Sequence, residues 1–183
     1  MIIGEQVKDY LVGYLGDRQA GKSSHWQEVL TNFSFSEETG LAGLRGFGEL
    51  TRGIKRGKTI TRLNHWLLQS PYKIQFGNYI KLLRALRSAK CIANVQDRLV
   101  DLDVLLQVFT FVFCADKIPQ FSRKRISLVI GDGFGTLSSL LYNNTSHKII
   151  CVNLNEVLLV DYLFTRGIIR NEQTVLAETA EDI

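Results

Sequence analysis

The stretch Ile126-Ser-Leu-Val-Ile-Gly-Asp-Gly-Phe-Gly-Thr-Leu-Ser-Ser-Leu-Leu141 has residue types at a spacing suited to holding a small polar ligand against bare backbone. Glycine has no β-carbon, so Gly131, Gly133 and Gly135 permit positive φ and close approach, while the first amides of a following helix lack intrahelical partners. Asp132 and Phe134 stand between the glycines. A second stretch, Gly16-Asp-Arg-Gln-Ala-Gly-Lys-Ser23, satisfies the phosphate-loop pattern G-x-x-x-x-G-K-S. In such a loop backbone N–H groups and a lysine wrap a phosphate and the serine holds magnesium. These are two different chemistries, and the elements flanking each stretch distinguish them.

Around the glycines, Ile126, Leu128, Val129 and Ile130 form an apolar run of strand length, and Leu137, Leu140 and Leu141 recur at helical spacing. A second apolar run, Lys148-Ile-Ile-Cys-Val-Asn-Leu154, precedes an apolar helix over Glu156–Phe164 that Gly167 ends. Strand, glycine turn, helix, strand, helix is the first half of a doubly wound sheet, with Asn153 where such folds put a polar side chain on a ribose. Around the phosphate-loop pattern the support is thinner. Tyr10–Leu15 reads as a passable strand, but Ser24, His25, Trp26, Gln27 and Glu28 lack the small apolar start that would pack beneath the loop. Val108–Asp116 could supply a strand ending in a magnesium-assisting aspartate. The competing pattern is a helix starting at Asp97, Asp101 or Asp103 and ending near Ala115, since Leu99, Leu102, Leu105, Leu106, Phe109, Val112 and Phe113 recur every three to four residues.

The glycine stretch also carries a family resemblance. Leu128-Val-Ile-Gly-Asp-Gly-Phe-Gly135, followed by Val152-Asn-Leu-Asn-Glu-Val-Leu-Leu159, resembles the sugar O-methyltransferase family of S-adenosylmethionine-dependent enzymes, whose pattern is E-I-G-x-G-Y-G and then D-L-P-E-T-L-L. Val129 replaces that family's first-strand glutamate, and Asn153 replaces its ribose-binding aspartate. The resemblance implies an α/β chain with a helical N-terminal part followed by an incomplete Rossmann-like, doubly wound methyltransferase half-sheet. It further implies S-adenosylmethionine held by Gly131, Asp132, Gly133, Phe134, Gly135, Asn153 and Leu154, a sugar or glycan acceptor, and a truncated product or N-terminal portion of a longer enzyme. The acceptor-binding and methyl-transfer residues would lie mostly downstream, so no catalytic residue is assigned.

Composition is that of a folded chain: 183 residues, 45% hydrophobic and 22% charged. Met1-Ile-Ile runs at once into Glu5, Lys8 and Asp9, unlike a secretory signal, and Val104–Ala115 is too short to span a bilayer, so a cytoplasmic location is expected. Cys91, Cys114 and Cys151 are far apart in apolar sequence and read as reduced core thiols. His25, His65 and His147 are isolated, giving neither a metal site nor a catalytic histidine.

Charge is unevenly spread. Residues 1–125 hold 19 Lys and Arg against 11 Asp and Glu, whereas residues 126–183 hold 3 against 7. No carboxylate occurs from Leu50 to Gln96, where Arg52, Lys55, Arg56, Lys58, Arg62, Lys73, Lys81, Arg84, Arg87 and Lys90 fall. Such a region favours an anionic partner: a phosphate-bearing glycan, or an acidic membrane surface touched peripherally. Nucleic acid is disfavoured, because the aromatic residues form no repeated stacking platform. A third reading is a non-catalytic module that uses this basic face. Tyr79–Ala93 is predicted to be an amphipathic helix with Tyr79, Leu82, Leu83, Leu86 and Ile92 on its buried side.

The Lys117–Arg125 segment, with Pro119, divides a helical basic region over 1–122 from a sheet region over 123–183. Asn32 to Gly57 reads as loop and short turns, and Thr174–Ala177 as the start of a third strand. With the chain ending there, the first strand would be a sheet edge, to be covered by the N-terminal helices, further sequence or a second copy of the chain.

Overall fold

The computed structural model describes residues 66–71, 79–153 and 155–169, and the backbone of 174–177. The Gly16–Ser23 pattern, the glycine-rich segment before residue 58 and Leu154 lie outside the described residues. A helical segment over 66–71 precedes α1 (Tyr79–Val95), α2 (Leu102–Lys117), β1 (Ile126–Ile130), α3 (Thr136–Asn144), β2 (Lys148–Val152), α4 (Asn155–Thr165) and β3 (Thr174–Ala177). Among the described residues the fold is α/β, with three parallel strands in the order β1-β2-β3 and helices between them. Leu128 pairs with Ile150 and Ile130 with Val152, and Gly131 extends the ladder by donating its N–H to the Val152 carbonyl at 3.0 Å.

The strand alternation sorts the side chains onto two faces. Val129, Ile149 and Cys151 enter one core with residues of α1, α2, α3 and α4. Ile126, Leu128 and Ile130 point the other way and are 69%, 56% and 73% exposed. β1 is the end strand among the described residues, as expected. Val129 faces the helices and is buried in the core.

The predicted helix at 79–93 is α1, but its buried stripe is Leu82, Ala85, Ala89, Ile92 and Ala93, not the large residues alone. Tyr79 is 60% and Leu83 37% exposed. Alanines on the inner side let α1 lie close to α2 and α3, both of which it contacts. α1 then ends in a Schellman motif: Asp97 adopts φ 54°, its N–H bonds the Asn94 carbonyl at 3.2 Å, and the Arg98 N–H bonds that of Ala93 at 2.7 Å. This closure fixes where Arg98 emerges.

α2 begins at the N-cap Asp101, whose side chain accepts from the Val104 N–H at 2.9 Å. The helical reading of 102–117 is therefore correct, and the strand reading of Val108–Asp116 is not. Asp116 lies in the last turn, 3.2 Å from Lys81 Nζ on α1 and 3.6 Å from Lys117 Nζ, instead of at a strand end. Among the cysteines only Cys151 is in the core; Cys114 is half-buried and Cys91 exposed. No helix among the described residues is long and apolar enough to cross a membrane.

Candidate functional site

The peptide 131–135 bends sharply at the C-terminal end of β1. Gly131, Gly133 and Gly135 have φ of 72°, 79° and 60°, a left-handed region that costs an L-residue roughly 1–2 kcal/mol. The three glycines differ in what surrounds them. A β-carbon on Gly131 or Gly133 would have nothing within 4 Å, whereas one on Gly135 would fall on the Thr165 methyl and 3.2 Å from the Asp161 carbonyl. Gly135 is needed for packing against α4; Gly131 and Gly133 leave open space beside the backbone.

Asp132 turns back onto the helix that follows. Its Oδ1 accepts from the Leu137 N–H at 2.9 Å and its Oδ2 from the Ser138 N–H at 2.7 Å, so the start of α3 is capped from within the turn. Phe134 points inward. Its carbonyl accepts from Gln96 Nε2 at 2.9 Å, its ring meets Phe164 edge-on at 5.3 Å between centroids, and the Arg98 guanidinium lies 4.0 Å above it. The α1–α2 connection thus supports the turn from beneath.

Asp161 on α4 joins the turn to the end of β2. Its Oδ1 accepts from the Gly135 N–H at 3.0 Å and its Oδ2 from Asn153 Nδ2 at 2.9 Å. The predicted cofactor residues Gly131, Asp132, Gly133, Phe134, Gly135 and Asn153 are in this way brought together at the C-terminal ends of two parallel strands. In open parallel sheets that is where ligands bind.

The site's electrostatics are dominated by two carboxylates, Asp161 buried and Asp132 half-buried. Burial first, and the nearby charge of Asp132 second, push Asp161 up to about 8. Burial also raises Asp132, against the hydrogen bonds donated by residues of α3. Cys151, beneath the site, donates to or accepts from Ser138 Oγ at 3.1 Å; burial pushes its thiol up to about 12, leaving it neutral and unreactive. Arg98, fully buried, is lowered by desolvation and held charged chiefly by Asp101, whose Oδ2 is 3.4 Å away.

Sequence reasoning missed Asp161, Gln96 and Arg98. The available signal was an acid set among Val157, Leu158, Leu159, Val160, Leu163 and Phe164, in a helix buried nearly all round. His147 was read as isolated, yet its Nδ1 lies 2.6 Å from Ser127 Oγ and its Nε2 2.6 Å from the Phe121 carbonyl. With Nε2–H donating to that carbonyl, Nδ1 accepts from the serine. This clasp sits at the N-terminal ends of β1 and β2, away from the glycine turn. No group of three or more His, Cys, Asp or Glu suited to holding a metal ion occurs among the described residues. Comparison of the chain with family models, with curated proteins and with solved structures returns no match.

Proposed function

We propose that this chain binds S-adenosylmethionine over the turn 131–135 and belongs to an S-adenosylmethionine-dependent O-methyltransferase acting on a sugar or glycan, its sheet being the first half of a Rossmann-like one. The observation that carries this reading is the turn itself: three left-handed glycines directly after a parallel strand, two with open space beside them, tied through Asp161 to the polar residue ending the next strand. Bound there, S-adenosylmethionine would supply an electrophilic methyl group. Gly131 and Gly133 would admit it to the backbone, and Asn153 would meet its ribose hydroxyls by donating and accepting hydrogen bonds.

The cap on α3 bears on which ligand fits. Because Asp132 already occupies the Leu137 and Ser138 amides, a phosphate seeking the helix N-terminus would meet a carboxylate instead of free N–H groups. That favours an adenosyl ligand with a cationic sulfonium over a pyrophosphate-bearing dinucleotide. The magnesium-nucleotide reading of Gly16–Ser23 loses its proposed aspartate, since Asp116 is helical and paired with lysines.

The test is calorimetric titration of the purified chain with S-adenosylhomocysteine and, separately, with a magnesium nucleotide. The expected outcome is saturable binding of the adenosyl ligand, weakened by Gly133→Ala. Absence of adenosyl binding, together with nucleotide binding abolished by Lys22→Ala, would replace this reading with the phosphate-loop one.

A further inference from the structure

Ile80, Leu83, Arg84, Arg87 and Lys90 fall at helical spacing on the solvent side of α1, opposite the buried Leu82, Ala85, Ala89 and Ile92, and all five are exposed. Lys81 is paired with Asp116, whereas Arg84, Arg87 and Lys90 form no ion pair with any described residue. No carboxylate occurs between Leu50 and Gln96 to neutralise them along the chain. A second exposed feature stands at the C-terminal end of this helix. Trp66, Leu67 and Leu68, three large apolar side chains in succession, are 58%, 52% and 72% exposed. Gln69 beside them turns inward, donating from Nε2 to the Val100 carbonyl at 2.8 Å. That bond fixes the 66–71 segment to the α1–α2 connection, whose Gln96 also supports the glycine turn. At 1.5 Å per helical residue, Lys90 and Arg87 lie about 8 and about 12 Å along the axis from the end of α1 at Val95.

We propose that the outer side of α1 and the 66–71 segment dock this chain peripherally on an anionic lipid bilayer, with Arg84, Arg87 and Lys90 at the headgroups and Trp66, Leu67 and Leu68 at the acyl boundary. The proposal does not rest on the adenosyl-binding reading. Charge complementarity names the partner's sign, since an acid-free surface with unpaired cations attracts an anionic one. The apolar residues name its kind. Trp and Leu beside Lys and Arg match the layered order of a membrane interface, where aromatic and aliphatic side chains sit just below the charged headgroups. The outside of a helix is convex and offers no pocket to a shaped ligand, whereas a fluid bilayer needs none.

The experiment is co-sedimentation of the full chain with vesicles of phosphatidylcholine alone and of phosphatidylcholine mixed with phosphatidylserine. Binding is expected to the mixture and little to the neutral vesicles, and it should weaken as salt is added. Arg84→Gln combined with Arg87→Gln should cut partitioning about thirtyfold, each cation near such a surface contributing about fivefold. Leu67→Ser combined with Leu68→Ser should cut it on the order of tenfold, with the salt dependence retained. No sedimentation with either vesicle overturns the proposal, as does equal binding to both or binding by the arginine variant equal to wild type. Self-association in light scattering in place of vesicle binding also overturns it and assigns the surface to a second copy of the chain. The two vesicle compositions decide the matter with the wild-type chain even where a variant fails to fold, and the S-adenosylhomocysteine titration tests the glycine turn separately.

Discussion

Replacing Gly135 by alanine separates two demands that a glycine can meet. The first is conformational: at φ 60° an L-residue costs roughly 1–2 kcal/mol. The second is steric, because the new methyl falls on the Thr165 Cγ2 methyl and lies 3.2 Å from the Asp161 carbonyl, and overpacking of this kind costs about 1–3 kcal/mol. Gly135→Ala is therefore expected to destabilise the fold by about 2–5 kcal/mol, summing the two. Gly133→Ala, with nothing within 4 Å of the added carbon, should show only the conformational cost, about 1–2 kcal/mol. Thr165→Ser removes the offending methyl but retains the hydroxyl that donates to the Asp161 carbonyl at 2.7 Å. Adding it to Gly135→Ala should recover much of the steric part. Urea denaturation followed by helical circular dichroism measures all four chains, and unchanged m-values would show that the comparison is of stability alone. If Gly135→Ala costs no more than Gly133→Ala, or if Thr165→Ser recovers nothing, the account of the α4 contact is wrong.

Two further predictions concern charge. Asp101→Asn keeps an acceptor for the Val104 N–H while leaving the fully buried Arg98 guanidinium without its counter-charge, so a loss on the order of 3 kcal/mol is expected in the same denaturation assay; Asp116→Asn, in a pair with both members about two-fifths exposed, should change stability by less than about 1 kcal/mol. Asp161 has its folded value raised to about 8, so the folded state holds this proton more tightly than the unfolded chain does. Its stabilising contribution is full below the unfolded carboxylate value near about 4 and is lost as pH rises through the folded one, so Tm should fall across that interval and the slope should flatten in Asp161→Asn.

What could be read from the sequence was mostly local. The glycine turn announced itself because its glycines adjoin a five-residue apolar run, and α2 because Asp101 and the leucines agree on one start and one period. The inner face of α1 was misread for a packing reason. Leu83 and Tyr79 are more hydrophobic than Ala85 or Ala89, but a helix lying close to two neighbours selects for small side chains at the contact. The supports of the site escaped because their partners are distant in sequence: Gln96 reaches Phe134 38 residues away and Phe164 68 away, and Asp161 reaches back 26 to Gly135. A lone polar residue in an apolar run gives no indication of which backbone group it will meet.

The ladder of β1 has a consequence for its amide protons. Gly131 donates to Val152, and donors along a strand alternate in direction, so the N–H groups of Val129 and Ser127 also point toward β2 while those of Leu128 and Ile130 point to the side on which no strand lies among the described residues. Deuterium should then enter β1 at every second position, quickly at Leu128 and Ile130 and slowly between them. β2, flanked on both sides by β1 and β3, should resist exchange along its whole length.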